Sequence, residues 1–297
     1  MTDLSKFQGA GTALVTPFQA DGRIDEAALR RLVDFQIENG INFLVPCGTT
    51  GESATMTLDE HLLTVSTVVD QTAGRVPVIA GAGGNNTHHV VDMAKAVAAT
   101  GVDGLLSVTP YYNKPTQDGL VAHFTAIANA VDTPVVLYNV PSRTQCNLLP
   151  DTVVRLAEID NIIALKAASG NIGQIGEMAV KKPDDFLILS GDDPNTLPIM
   201  ALGGSGVISV LSNQVPAEIA RLTRLCIEGR FSEAMKIQKR LFNLMKLDFI
   251  EVNPIPVKTG LAMMGLIEEH FRLPMVPMTA ANKALLRQEM EVLGLLS

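Results

Sequence analysis

Short apolar runs alternate with longer stretches of helical periodicity along most of this chain. The runs recur every ~20 to 35 residues, and one helical stretch separates each run from the next. Eight units of this kind close a (β/α)8 barrel of ~250 residues, so the pattern predicts an α/β protein with a TIM-barrel fold. The predicted strands are Thr12–Thr16, Phe43–Pro46, Pro77–Ala80, Gly104–Val108, Pro134–Tyr138, Ile162–Lys166, Phe186–Ser190 and Gly206–Val210.

An open, doubly wound sheet is the competing topology for a chain of alternating strands and helices. Its dinucleotide-binding members carry a Gly-x-Gly-x-x-Gly turn directly after the first strand. Here Thr16-Pro17-Phe18 stands at that place instead. The sequence therefore favours the barrel and does not support a dinucleotide site.

Helical periodicity continues from Pro216 almost to the end of the chain, beyond what a barrel needs. Only the first of the four helices predicted there completes the eighth unit. No linker rich in Gly, Pro or Ser follows it, so we expect residues 1–228 to form the barrel and residues 229–297 a C-terminal helical extension of the same structural unit. The clearest predicted helices are Ala27–Asn39, Val90–Thr100, Ala217–Glu228, Phe231–Leu247, Pro256–Leu266 and Thr279–Leu293.

Composition and charge argue against several classes of protein. The chain has 297 residues, and its net charge of −8 argues against a nucleic-acid-binding surface. The segment from Met1 to Lys6 is not followed by a long apolar stretch, and no apolar run has the length of a membrane span, so we expect neither a signal peptide nor membrane contact. Three widely spaced cysteines, Cys47, Cys146 and Cys226, are typical of free thiols in a reducing compartment. We therefore predict a cytoplasmic protein.

Lys166 stands at the end of the apolar run that begins at Ile162. An ammonium at the tip of a buried strand loses hydration, which favours the neutral amine, and a neutral amine can attack a carbonyl to give a Schiff base. An ordinary solvated lysine explains this segment equally well when it is taken alone.

Other polar groups are predicted at the same mouth of the barrel, where the carboxyl ends of the strands converge and barrel enzymes hold their chemistry. Tyr138 ends the fifth predicted strand, and Tyr111 and Tyr112 follow the fourth, so all three tyrosines of the chain lie at this rim. Two loops rich in Gly and hydroxyl or acidic residues also reach it, namely Gly48-Thr49-Thr50-Gly51-Glu52 and Ser190-Gly191-Asp192-Asp193.

Each of these groups has a use in imine chemistry. Tyr138 can shuttle a proton, with Thr49 and Tyr112 as a hydroxyl relay to solvent. Thr50 and the amides around Gly48 and Gly51 can bind a carboxylate. Arg143 can hold a second carboxylate. Taken singly, the loop can be a plain tight turn and Arg143 a surface residue.

Together these segments resemble the dihydrodipicolinate synthase branch of the class I pyruvate aldolases, from about Gly9 to the C-terminus. The motifs that carry the resemblance are Gly48-Thr49-Thr50-Gly51-Glu52-Ser53, Tyr111-Tyr112-Asn113-Lys114-Pro115, Tyr138-Asn139-Val140-Pro141-Ser142-Arg143-Thr144, Lys166, Leu189-Ser190-Gly191-Asp192-Asp193 and Asn253-Pro254-Ile255-Pro256-Val257-Lys258.

The resemblance implies a barrel with three C-terminal helices, assembled as a homotetramer, a dimer of dimers. It implies that Lys166 forms the Schiff base, that Tyr138 donates and accepts the proton, and that Tyr112 joins the relay from a neighbouring subunit. It further implies substrate binding by four residues, with Arg143 at the site entrance holding the aldehyde's carboxylate. These residues are Thr50, Ile208, Gly191 and Arg143.

Two positions depart from the family pattern. Ala167 follows the lysine where an acidic residue is usual. His89 stands where lysine-inhibited members carry a carboxylate, and an imidazole there should bind the ammonium of a lysine effector poorly. The other residues that match the lysine effector site are Ser53, Ala54, His61, Asn85 and Tyr111.

The predicted reaction is the condensation of pyruvate with L-aspartate 4-semialdehyde to 4-hydroxy-tetrahydrodipicolinate, on the route to diaminopimelate and lysine. The protonated imine is the electron sink, so we expect neither a metal nor another cofactor, and the scattered histidines have no metal-binding spacing. One alternative is a sister lyase acting on a 2-keto sugar acid such as N-acetylneuraminate, which Arg143 disfavours because a sugar chain needs neutral partners. The other is a non-catalytic keto-acid sensor.

Overall fold

The computed structural model describes residues 3–296, which form eight parallel strands surrounded by helices. Met1, Thr2 and Ser297 lie outside the described residues. The first two begin the segment for which we expect no signal peptide. The strands are β1 (Gly9–Ala13), β2 (Phe43–Val45), β3 (Ile79–Gly81), β4 (Gly104–Val108), β5 (Val135–Asn139), β6 (Ile162–Ala167), β7 (Leu187–Ser190) and β8 (Gly206–Ser209).

The strands close into a barrel. Their hydrogen-bonded order is β2-β1-β8-β7-β6-β5-β4-β3, which leaves only β2 and β3 to be joined. A parallel bridge between Leu44 and Val78 joins them, and the Gly81 amide donates to the Pro46 carbonyl at 3.0 Å. The predicted TIM-barrel fold is therefore confirmed.

Helices follow the strands in alternation, and three more follow the barrel. Among residues 3–296, no helix has both the length and the apolar character needed to cross a membrane. The helices are α1 (Glu26–Glu38), α2 (Leu58–Thr72), α3 (Thr87–Ala98), α4 (Gln117–Ala128), α5 (Pro141–Thr144), α6 (Pro150–Ala157), α7 (Ile172–Lys181), α8 (Thr196–Ala201), α9 (Pro216–Ile227), α10 (Phe231–Leu247), α11 (Ile255–Met263) and α12 (Ala280–Val292). Short 3-10 turns lie at Leu4–Phe7, Ser53–Thr55, Asp193–Asn195 and Leu211–Asn213.

Two apolar clusters hold these layers together. The larger one lies between the strands and the helices, and the smaller one fills the barrel interior. Phe7, from the first turn, is fully buried in the interior cluster together with Phe43 and Leu189. Ile208 and Tyr138 belong to the same cluster. The barrel is thus a packed core whose upper layer includes predicted site residues.

The first strand lies three residues earlier than predicted. It spans Gly9–Ala13 instead of Thr12–Thr16, because Gly9 and Gly11 allow neighbouring groups to come close. A Cβ on Gly11 would lie 2.0 Å from the Phe43 ring. Glycine disfavours a strand when only propensity is considered, which explains the wrong prediction.

Helix α3 begins earlier than the predicted start at Val90. The Asn86 side chain accepts hydrogen bonds from the amides of His88 and His89, so the helix starts at Thr87. The remaining strands and helices agree with the predicted ones to within a few residues at each end, the ordinary uncertainty of such boundaries.

Gly206 offers a test of the close packing between β1 and β8. A Cβ there would lie 1.9 Å from the Gly9 carbonyl oxygen, whereas one on Gly176, in α7, would meet Leu202 at an ordinary 3.7 Å. We expect Gly206→Ala to lower the free energy of unfolding by about 1–3 kcal/mol. The control Gly176→Ala should leave it unchanged or raise it by up to ~1 kcal/mol. Equilibrium denaturation measures both, and equal stabilities of the two variants would contradict the packing argument.

Candidate active site

A cavity of about 460 Å³ opens at the carboxyl ends of the strands. Its walls come from the loop after β2, from the segments that follow β3, β4 and β5, and from the C-terminal region. Thr49, Tyr111, Tyr138 and Arg143 all line it. The barrel thus brings together residues that are far apart in the sequence, as predicted for this rim.

Lys166 lies in β6, beside Tyr138 in β5. Its side chain is buried, with a residual exposure of 6%, and Nζ lies 4.3 Å from the centroid of the Tyr138 ring. On its other side Gly191 follows β7, and a Cβ on Gly191 would lie 3.0 Å from Lys166 Cγ. A residue with a side chain at position 191 would therefore push the lysine out of place.

Burial lowers the pKa of Lys166 to about 7, because the charged form loses hydration. The positive charge of Arg143 lowers this pKa further, and the negative charge of Asp193 opposes both effects. A substantial fraction of the amine is therefore neutral near pH 7, and the neutral form is the nucleophile.

Tyr138 stays protonated under the same conditions. Burial raises the pKa of its phenol, as does the charge of Asp192, while Arg143 and a hydrogen bond to the Thr49 side chain lower it. A neutral phenol next to a neutral amine is able to give a proton to an oxygen that leaves or becomes negatively charged.

The loop between β2 and the turn at Ser53–Thr55 approaches other backbone segments closely. A Cβ on Gly81 would lie 2.0 Å from the Cys47 carbonyl oxygen. The amide of Gly51 donates to the Gly48 carbonyl at 3.1 Å, so this predicted carboxylate donor is already used within the turn. The amides of Thr49 and Thr50 donate to no acceptor among residues 3–296. Both amides are therefore available to donate to an anion.

Arg143 lies in α5, the single turn that follows β5. Its side chain is exposed at the cavity, and it forms no ion pair with the described part of the chain. An arginine without a carboxylate partner presents a fixed cation to whatever occupies the cavity. The geometry is suited to binding a carboxylate.

Three residues that the sequence alone did not single out support this site. Asp193 is buried and accepts hydrogen bonds from Ser209 Oγ at 2.5 Å and from the amides of Val210 and Leu211. Asn253 donates to Thr50 Oγ1 at 2.9 Å. Lys258 pairs with Glu52 at 2.6 Å. All three lie within motifs that were recognised, but no spacing rule indicated what their side chains contact.

The structure does not bring Tyr112 to the cavity of its own chain. Its side chain is 90% exposed, and its backbone has a φ of +72°. Thr50 and Ile208 are buried beside the cavity without lining it. A relay of Thr49, Tyr138 and Tyr112 is therefore incomplete within one chain.

Four of the predicted effector residues line the same cavity, namely Ser53, Ala54, His61 and Tyr111. The ring Nε2 of His61 lies 2.8 Å from the Gly81 carbonyl, and burial lowers the pKa of the imidazole. Asn85 donates to the Tyr111 carbonyl at 3.1 Å. His89 is exposed on α3, one turn before Met93, which lines the cavity.

This chain is similar to known proteins along nearly its whole length. The 4-hydroxy-tetrahydrodipicolinate synthase of Koribacter versatilis is 54% identical over 284 residues, 95% of either chain, and that of Chloroherpeton thalassium is 51% identical over 291 residues, 98% of this chain and 96% of the relative. The crystal structure of dihydrodipicolinate synthase from Aquifex aeolicus superposes with a TM-score of 0.96 at 46% identity, over 97% of this chain and 99% of that one.

A second structure, dihydrodipicolinate synthase from Cyanidioschyzon merolae with lysine bound, superposes with a TM-score of 0.95 at 43% identity, over 98% of this chain and 99% of that one. The profile of the dihydrodipicolinate synthetase family matches residues 6–292, nearly the whole chain. The resemblance inferred from the sequence is confirmed, and this chain belongs to the dihydrodipicolinate synthetase family.

Proposed function

We propose that this protein is a 4-hydroxy-tetrahydrodipicolinate synthase, a lyase that condenses pyruvate with L-aspartate 4-semialdehyde in diaminopimelate and lysine biosynthesis. The observation that carries the proposal is the buried Lys166 amine against the ring of Tyr138. Tyr138 in turn lines the cavity together with Arg143, which forms no ion pair among residues 3–296. Relatives at about half identity along nearly the whole chain bear this name.

The reaction begins with pyruvate bound beside Lys166. The free amides of Thr49 and Thr50 hold its carboxylate, and the neutral amine attacks the keto carbon. A new C–N bond forms, and the keto oxygen takes a proton from Tyr138 to give a carbinolamine. The nitrogen returns a proton to the Tyr138 phenolate, and Tyr138 passes it to the same oxygen, so that water leaves and a protonated imine joins Lys166 to the substrate.

The protonated imine then accepts electrons from the adjacent methyl carbon. The Tyr138 phenolate takes a proton from that carbon to give an enamine, whose carbon attacks the aldehyde of the second substrate. Tyr138 returns the proton to the aldehyde oxygen, which becomes a hydroxyl, and the substrate's own amino group replaces Lys166 at the former keto carbon. This last exchange closes the ring and frees the lysine for another cycle.

Arg143 favours a dicarboxylic reaction over the sugar-acid alternative. L-aspartate 4-semialdehyde brings a carboxylate that needs a cation at the entrance, and Arg143 supplies one that has no carboxylate partner within residues 3–296. A 2-keto sugar acid such as N-acetylneuraminate would place neutral hydroxyl groups there, and these would leave the charge of the guanidinium unneutralised.

The oligomeric state and the cellular location are also part of the proposal. We infer a cytoplasmic homotetramer, a dimer of dimers, in which Tyr112 completes the proton relay of a neighbouring subunit. The 90% exposure of this phenol in a single chain supports that role, and three buried free cysteines fit a reducing compartment. The division into a barrel of residues 1–228 and a C-terminal region of residues 229–297 is part of this proposal.

The nucleophile can be identified by reduction. Borohydride added with pyruvate should attach a reduced three-carbon group to Lys166 and abolish activity, and trapping with cyanoborohydride should accelerate as pH rises through about 7, where the amine becomes neutral. Lys258 is the matched control, because it is also buried but its ammonium is paired with Glu52. Peptide mass mapping measures both sites, and an unmodified Lys166 would rule out the imine mechanism.

Arg143→Ala should raise the KM for L-aspartate 4-semialdehyde about 10- to 100-fold, because a charge-assisted hydrogen bond contributes ~1.5–3 kcal/mol. The KM for pyruvate should change much less. Arg143→Lys keeps the charge without the bidentate geometry and should lie between the two. Steady-state kinetics with each substrate measures both KM values. Equal changes in the two would indicate a structural role for Arg143, and no change in either would favour the sugar-acid alternative.

Inhibition by L-lysine depends on the residues of the predicted effector site. The relative from Cyanidioschyzon merolae was crystallised with lysine bound, and two of the effector residues predicted here, His61 and Tyr111, line the cavity of this chain. His89 offers no negative charge to an ammonium, so we expect weak inhibition by L-lysine. His89→Glu should strengthen it and His89→Gln should not. Tight inhibition of the unmodified enzyme near neutral pH would show that another residue supplies the charge.

A further inference from the structure

The loop that presents Thr49 and Thr50 is strained at both ends. Cys47 has a φ of +55° and Glu52 a φ of +54°, and neither is glycine. Left-handed backbone at a residue with a side chain is unfavourable and persists only where surrounding contacts impose it. The contacts that hold this loop therefore bear on how it binds a substrate.

One of these contacts reaches the loop from the C-terminal region. Asn253 and Thr50 are both buried, and Asn253 Nδ2 donates a hydrogen bond to Thr50 Oγ1 at 2.9 Å. A hydroxyl oxygen that accepts one hydrogen bond is free to donate its own proton in another direction. Asn253 thereby orients the Thr50 hydroxyl as a donor, which is the role that a bound carboxylate requires.

A second contact fixes the end of the loop. The Lys258 ammonium donates to Glu52 Oε1 at 2.6 Å, with both side chains at most 2% exposed, and the Arg272 amide donates to Glu52 Oε2 at 3.3 Å. The aromatic rings of Phe18 and Phe271 lie 4.4 and 5.1 Å from the same ammonium. Removing one partner of a buried ion pair leaves an uncompensated charge and strongly destabilises the protein. Glu52 is therefore held firmly in place.

The C-terminal region also borders the cavity itself. Asn253 and Pro254, together with Pro274 and Met275, form part of its wall. The helices that follow the barrel are therefore joined to the substrate loop by hydrogen bonds and by a common surface, although the loop precedes them by some two hundred residues.

We propose that Asn253 is a positioning residue for pyruvate: it acts through Thr50, whose hydroxyl it directs toward the substrate carboxylate. The inference rests on the proposed function, because it names the group that shapes the pyruvate site. Asn253 itself is not assigned a contact with the substrate.

A double-mutant cycle tests this proposal. The variants are Asn253→Ala, the isosteric Thr50→Val and the two combined, and the readout is the pyruvate concentration that gives half-maximal reductive trapping at Lys166. We expect Asn253→Ala to raise that concentration on the order of tenfold, the usual effect of one lost hydrogen bond. Thr50→Val should raise it at least as much, and the combined variant no further than Thr50→Val alone, because both changes remove one interaction.

Thr259→Val is the matched control. Thr259 lies on the same helix as Lys258 and is fully buried. Its Oγ1 donates a hydrogen bond to Glu269 Oε1 at 3.1 Å, away from the loop. It should alter the melting temperature while the half-maximal pyruvate concentration stays unchanged. Asn253→Leu, which keeps the volume of the side chain, replaces Asn253→Ala if the alanine variant does not fold.

The outcomes separate the inference from the function on which it rests. Effects of Asn253→Ala and Thr50→Val that multiply in the combined variant would overturn the positioning role, and so would a lowered melting temperature with normal pyruvate saturation. An unmodified protein that traps no pyruvate at Lys166 would overturn the proposed function, and the inference with it. Normal trapping by the unmodified protein and by Asn253→Ala alike would overturn the inference alone.

Discussion

The burial of one amine is the constraint on which this structure depends. Lys166 is held inside the barrel, where an ammonium loses its hydration, and the pKa of the lysine falls to about 7 as a result. The neighbouring positions are compatible with that burial. Gly191 has no side chain and so leaves room, Tyr138 covers the amine with its ring, and the nearby carboxylate of Asp193 keeps the pKa from falling further.

The same burial explains why the chemistry needs a closed barrel. A strand buried on both faces can carry a lysine at its end only if the neighbouring strands fix the direction of the side chain. Here β5 and β7 do so, because Tyr138 and Leu189 are the register partners of Lys166. The rim loops then add polar and cationic groups, Thr49 and Arg143 among them, which backbone geometry brings together from distant parts of the chain.

The C-terminal helices contribute to the site as well as to the fold. The buried pair between Lys258 and Glu52 and the hydrogen bond from Asn253 to Thr50 tie these helices to the loop after β2. A change in the C-terminal region therefore reaches the substrate loop through two short contacts. The conformation of this strained loop therefore depends on contacts outside the loop itself.

Much of this could be predicted from the sequence, because periodicity and chemistry are local properties. The alternating apolar runs indicated the barrel, and the residues at the ends of those runs indicated Lys166, Tyr138 and Arg143. Propensity failed at β1, where glycines serve close approach, and at the start of α3, where a capping side chain decides. The tertiary structure alone decided which buried polar groups meet, such as Asn253 with Thr50, because contacts between residues two hundred positions apart leave no spacing that a sequence pattern can reveal.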